Sequence, residues 1–108
     1  MHYNLKFFVD KKGKCYFTNW LESLSGDNQK RVEKRLRRVE SGNLGDYKSL
    51  GKNLFELKFD FGAGYIVYFS IEEKVIILLL CGGDKSGQSR DIAKAKEHLE
   101  DYYERKSN

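Results

Sequence analysis

Lys85 stands where an apolar strand, a glycine pair and the start of a helix meet. In LLLCGGDKSGQSRDI, residues 78–92, a fully apolar run passes into Gly82-Gly83, then a lysine, then a helical pattern. Bare backbone beside a cation and the free N–H groups of a helix start suits a phosphate or another oxyanion. Gln88 and Arg90 follow within one turn and supply further phosphate or base contacts. A plainer reading makes Asp84 and Lys85 a turn ion pair and leaves Gln88 and Arg90 as exposed first-turn residues.

A second group comes from the period-two segment that precedes it. In LFELKFDF, Phe55, Leu57, Phe59 and Phe61 alternate with Leu54, Glu56, Lys58 and Asp60, which predicts a strand over 54–61 with one apolar and one largely charged face. Gly62-Ala63-Gly64 predicts a hairpin onto YIVYFSI, residues 65–71. If Phe61 faces Tyr65 across that three-residue turn, Lys58 falls opposite Tyr68 with Glu56 and Ser70 beside it, while Tyr65 joins the apolar face. The turn at Glu72 to Lys74 leads into VIILLL, a continuous apolar run of the kind found in central strands covered on both faces. Three consecutive antiparallel strands bring the 62–64 turn and the Gly82-Gly83 exit to one end of the sheet. Lys85 is thereby expected near Tyr65, Lys58 and Tyr68, with an ordinary cross-strand pair as the plainer reading of the last two.

These residues need a frame. Residues 3–9 read as a first strand and 11–13 as a polar turn. Phe17, Trp20, Leu21 and Leu24 give 14–24 a helical stripe that belongs in the core. Ser25 to Asn28 holds good N-cap residues and opens a second helix ending near Ser41-Gly42; 43–53 reads as a glycine-containing loop. A last helix runs from residues 86–88 to Glu104, with Ile92, Ala95, Leu99 and Tyr102 inward and Asp91 in its first turn. His2 and His98 are expected at the surface. The order β-α-α-β-β-β-α predicts an α+β fold, a single domain over 1–108.

Charge is unevenly distributed. Residues 1–50 hold 11 Lys and Arg against 6 Asp and Glu, whereas 51–108 hold 9 against 10. The densest part is the second helix, where Lys30, Arg31, Lys34, Arg35, Arg37 and Arg38 flank a stripe of Val32, Leu36 and Val39. Such a face is either simply solvated or a phosphate-backbone patch whose binding weakens steeply with salt. Cys15 and Cys81 lack paired spacing, so neither a disulfide framework nor a zinc site is expected, and a reducing cytoplasm fits. The first residues contain too short an apolar run for a signal peptide, and nothing approaches a membrane span.

The two runs LFELKFDFGAGYIVYF and LLLCGGDKSGQSRDIAKA together resemble the addiction-module killer proteins, the phage-related, HigB-like branch of the RelE/ParE toxin superfamily, over roughly residues 50–96. The resemblance implies a small toxin whose twisted antiparallel sheet packs on a helical hairpin, with a C-terminal helix. It also implies a cognate antitoxin, often a helix-turn-helix protein, with operator DNA bound by the pair. The activity implied is metal-independent, cofactor-free cleavage of mRNA on the ribosome. Two alternatives stay open: a ParE-like inhibitor of DNA gyrase, and a catalytically idle module that binds antitoxin and operator DNA. The family pattern commonly carries arginine after the Gly-Tyr of the hairpin, where this chain has Ile66, and often at the position of Lys58.

Metal-free RNA cleavage needs a base for the 2′-OH, cations on the pentavalent phosphate and an acid for the departing 5′-oxygen. Lys58 and Lys85 are the candidate cations and Tyr68 the candidate base, acid or stacking residue. Tyr65, Gln88 and Arg90 are candidate substrate contacts, and Lys30, Arg31, Lys34, Arg35 and Arg38 candidate backbone contacts.

Overall fold

The computed structural model describes residues 2–107. Strand β1 (Asn4–Phe7) leads into helices α1 (Tyr16–Glu22) and α2 (Gly26–Glu40). Strands β2 (Tyr47–Gly51), β3 (Leu54–Lys58), β4 (Ile66–Glu72) and β5 (Ile76–Gly83) follow, then a 3-10 turn (Lys85–Gly87) and helix α3 (Gln88–Lys106). The strands form one sheet in the order β1-β5-β4-β3-β2, antiparallel except for β1, which runs parallel to β5. Among the described residues no helix is long and apolar enough to cross a membrane.

The helix boundaries follow local chemistry. Ser25 accepts from the Asn28 N–H at 3.2 Å and caps α2, and Asp27 and Arg37/Arg38 sit at the ends that the helix dipole favours. Val32, Leu36 and Val39 are buried on the sheet, as their spacing predicts. Helices α1 and α2 cover one sheet face, where Leu57, Val67, Phe69 and Ile77 meet Phe17 and Leu36. Helix α3 covers the other, over Leu54, Ile66, Tyr68, Leu78 and Leu80.

Three expectations about the sheet change. First, part of the presumed loop 43–53 is strand β2, a polar edge strand with Lys48 and Ser49 exposed. It carries no apolar alternation to reveal it, and a lysine on an edge strand discourages pairing with other chains. Its link to β3 is a two-residue turn, Lys52-Asn53, with φ of 51° and 63°; the left-handed pair matches the sheet twist. Second, the β3–β4 register places Glu56 opposite Tyr68 and Lys58 opposite Ile66. The Phe59 N–H closes on the Tyr65 carbonyl at 3.0 Å, so residues 60–64 form a longer loop in which the Tyr65 ring folds over Gly62. The slip of two residues preserves which face each side chain takes. Third, the charged face of β3 and β4 is not open to solvent. Helix α3 buries Glu56, Tyr68, Ser70 and Glu72, and Glu72 accepts from Ser70, Asn53 and Tyr103 at 2.8–3.0 Å.

His98 is also inside, not at the surface. One turn from Ala95 and adjacent to Leu99, it falls on the buried stripe of α3, 7% exposed, stacked between Phe8 and Tyr16 at 4.8 and 4.3 Å. Its Nε2 has no partner among the described residues, and burial, aided by Lys94, pushes its pKa below the usual histidine value. The folded protein thus binds this proton less readily than the unfolded chain. The stabilisation from neutral His98 is full above about pH 6.5 and is lost as pH falls below it. Thermal unfolding midpoints should therefore decline between about pH 6.5 and 5, before the carboxylates titrate, and His98→Phe should flatten that decline.

Candidate functional site

The site is built at the end of β5, and a bulge sets its geometry. Tyr68 pairs with Cys81 but Phe69 with Leu79, so Leu80 is an extra residue in β5. Past it the alternation of faces inverts: Cys81 joins Leu78 and Leu80 under α3, and Gly82 turns towards α1. The Trp20 indole lies directly on Gly82, and the Asp91 carboxylate directly on Gly83. Neither glycine has a positive φ. The pair therefore serves close approach of two side chains, where the sequence suggested a flexible phosphate loop.

Asp84 then turns the chain. Its Oδ1 accepts from the Ser86 N–H at 2.9 Å and the Ser86 hydroxyl at 2.6 Å, which holds its carboxyl below the ordinary range and fixes the 3-10 turn. Lys85 does not pair with it; Arg105–Asp101 is the ion pair found among the described residues. Instead the exposed Lys85 lays its stem across Gly64 in the β3–β4 loop, where a Cβ would come within 3.0–3.1 Å of Cγ, Cδ and Cε. Gly64 has φ +77°, which only glycine adopts without strain, so this contact depends on the residue type twice over.

Lys58, Ile66 and Gly83 stand in one row across β3, β4 and β5, so Lys58 and Lys85 share the same end of the sheet. Lys58 is exposed, whereas Ile66 between them is only 3% exposed and packs beneath α3. An arginine there would have to leave the core, so this chain does not merely lack a cation on an open surface. Tyr65 lines a cleft of about 400 Å³ together with Trp20, Asp84, Arg90 and Asp91. Its ring meets Trp20 edge to face at 5.8 Å, and its hydroxyl accepts from Asn28 Nδ2 at 3.3 Å. Arg90 is exposed at the cleft.

Two of the expected site residues point elsewhere. Gln88 donates from Nε2 to the buried Glu56 carboxylate at 3.0 Å, tying the first turn of α3 to β3. Tyr68 has no exposed surface, and its hydroxyl has no partner among the described residues; burial, then Asp91 and Glu56, push its pKa up. The Lys58/Tyr68 pair expected from the three-residue turn is absent. Nearby, burial pushes the Cys81 thiol up to about 12, so it is no nucleophile at neutral pH. Cys15 and Cys81 are both free. Among the described residues no three His, Cys, Asp or Glu side chains converge as a metal site.

The basic helix face splits into two kinds of residue. Arg31, Lys34, Arg35 and Arg38 line a second groove of about 400 Å³ with Phe59, Asp60 and Phe61, and Lys30 is exposed nearby in sequence. Arg31 stacks over Phe61 at 5.2 Å and Arg35 over Phe59 at 5.0 Å. Arg35 also donates to the carbonyls of Lys58, Leu44 and Asp46 at 2.7, 3.0 and 3.0 Å. It clamps the 44–46 segment to β3, whereas the other four remain available to an anion.

Trp20, Asn28, Glu56 and Asp91 were not singled out from sequence. Trp20 reads as core and Asp91 as a helix-dipole residue, and only the bulge in β5 brings them to one cleft.

Comparison with known proteins bears on this arrangement. An uncharacterized protein of Haemophilus influenzae is 44% identical over 81 residues, which span 74% of this chain and 82% of that protein. The free-state structure of Escherichia coli toxin RelE, in a form with two arginines replaced by alanine, superposes with a TM-score of 0.58 over 97% of this chain and 98% of that one, at 19% identity. The RelE-like α+β fold expected from the paired motifs is the fold found. No protein-family model matches the chain.

Proposed function

The chain belongs to one family with the Haemophilus influenzae protein and has the RelE toxin fold, and from that premise we propose that it is the toxin of a toxin-antitoxin module that cleaves ribosome-associated mRNA. The observation that carries this reading is the convergence of Lys58, Lys85 and Arg90 at one sheet end, beside a cleft walled by Tyr65 and Trp20. Three cations around a bound phosphodiester stabilise the dianionic phosphorane more than the monoanionic ground state. The aromatic walls hold an unstacked base, which positions the ribose 2′-OH in line with the leaving 5′-oxygen. Attack of that hydroxyl forms the 2′-O–P bond and breaks the P–O5′ bond, leaving a 2′,3′-cyclic phosphate and a 5′-hydroxyl. The 2′ proton leaves to a base and the 5′-oxygen receives one from an acid. Tyr65 is the tyrosine that lines that space, whereas Tyr68 is buried beneath α3 on the other face of the sheet.

The groove of Arg31, Lys34 and Arg38 extends the positive surface for RNA backbone or ribosome contact, with the partner antitoxin expected to neutralise the toxin in the cytoplasm. Ile66, buried and uncharged, is the feature favouring the idle, antitoxin-binding reading. Expression of the chain should arrest growth, and the purified protein should cut mRNA in a translating extract while leaving gyrase supercoiling untouched. Intact mRNA with blocked supercoiling would establish the gyrase reading, and neither effect the idle one.

A further inference from the structure

The mechanism above gives Asp91 no task, yet this carboxylate forms part of the cleft wall. It lies in the first turn of α3, half-buried, with Oδ2 over Gly83 and beside Gly87. Burial raises its pKa, with Arg90 opposing the shift. Among the described residues no group donates a hydrogen bond to it, and no cation reaches ion-pair distance. A partly dehydrated, unpaired acceptor facing a cleft is costly, and a ligand donor relieves that cost.

The surroundings define the ligand. Trp20 and Tyr65, packed edge to face, supply an aromatic wall on which a base can stack. About 400 Å³ holds one nucleotide, and Arg90 at the rim suits its phosphate. A carboxylate offers only acceptors. Guanine presents two adjacent donors, N1–H and the 2-amino group, to its two oxygens. Adenine and cytosine place an acceptor next to their single amino group, and uracil flanks its N3–H with carbonyls.

We propose that the cleft between Trp20, Tyr65 and Asp91 is a nucleobase pocket selective for guanine, with the Asp91 carboxylate accepting from N1–H and the 2-amino group. The proposal rests on the RNA-cleaving reading and names the base held beside the scissile phosphate. Trp20 is the chain's single tryptophan, so its fluorescence reports the pocket directly. Titration with 5′-GMP, 5′-AMP, 5′-CMP and 5′-UMP should give a saturable change with GMP at about tenfold lower concentration than with the others. Asp91→Asn, shown folded by circular dichroism, should bring GMP to the level of AMP. Equal responses to all four nucleotides, no response to any, or a GMP preference that survives Asp91→Asn would overturn the pocket. If Asp91→Asn does not fold, the ranking in the unaltered chain decides. The readout needs neither ribosome nor cleavage: GMP selectivity in a chain that never cuts mRNA would sink the nuclease reading alone, and cutting without guanine preference would sink the pocket alone.

Discussion

Lys85→Ala is expected to lower mRNA cleavage by about 100- to 1,000-fold, the effect of removing one preorganised contact to a transition-state oxyanion. The magnitude follows from placement. The stem of Lys85 is laid over Gly64, and the Asp84–Ser86 turn fixes its backbone, so the side chain is already directed along the sheet end where charge would develop on the phosphate. Because Lys85 is exposed and pairs with no described carboxylate, the same change should leave the unfolding midpoint nearly untouched. Lys85→Arg should retain part of the rate, since charge survives while the reach over Gly64 changes. A single-turnover cleavage assay on ribosome-bound mRNA, with thermal unfolding of each variant alongside, checks all three. Unchanged cleavage by Lys85→Ala would place the phosphate elsewhere on the surface.

The second large effect is on stability, at Arg35. Sequence alone treats it like its neighbours on the basic helix, as one more candidate backbone contact flanking the buried stripe. In the structure one guanidinium serves three main-chain carbonyls and stacks on Phe59. Removing it leaves those carbonyls to water where water can reach and unpaired where it cannot. Arg35→Ala should cost about 2 to 3 kcal/mol, a drop on the order of 10 °C in the unfolding midpoint. Arg38→Ala, on the exposed side of the same helix, should change stability by no more than about 0.5 kcal/mol. If Arg38 and Lys34 hold RNA or ribosome backbone, their loss weakens that association and flattens its salt dependence. Salt titrations of Lys34→Ala and Arg38→Ala measure this free of the folding defect.

What was legible in the chain was whatever depends on local period and turn chemistry. Val32, Leu36 and Val39 at helical spacing, Phe55, Leu57 and Phe59 at period two, and the apolar run of β5 each fix an element and its buried face, because burying one face is what makes an isolated segment settle. Lys85 at the exit of β5 and Lys58 at the end of β3 came to one sheet end by antiparallel connection alone. The partnership of side chains from distant elements was not legible. One extra residue at Leu80 inverts the faces of β5, and nothing in LLLCGG marks it, since every residue before the glycines is apolar. That bulge seats Trp20 on Gly82 and Asp91 on Gly83. Packing of α3 decided the rest: a helix laid over the charged side of β3 and β4 buries Tyr68, Glu56 and His98, turns Gln88 inward, and leaves Tyr65 and Asp91 facing the cleft. Local pattern determines which residues form each strand or helix, but accessibility belongs to the whole set of packed elements, and it is accessibility that decides which of these side chains can meet a substrate.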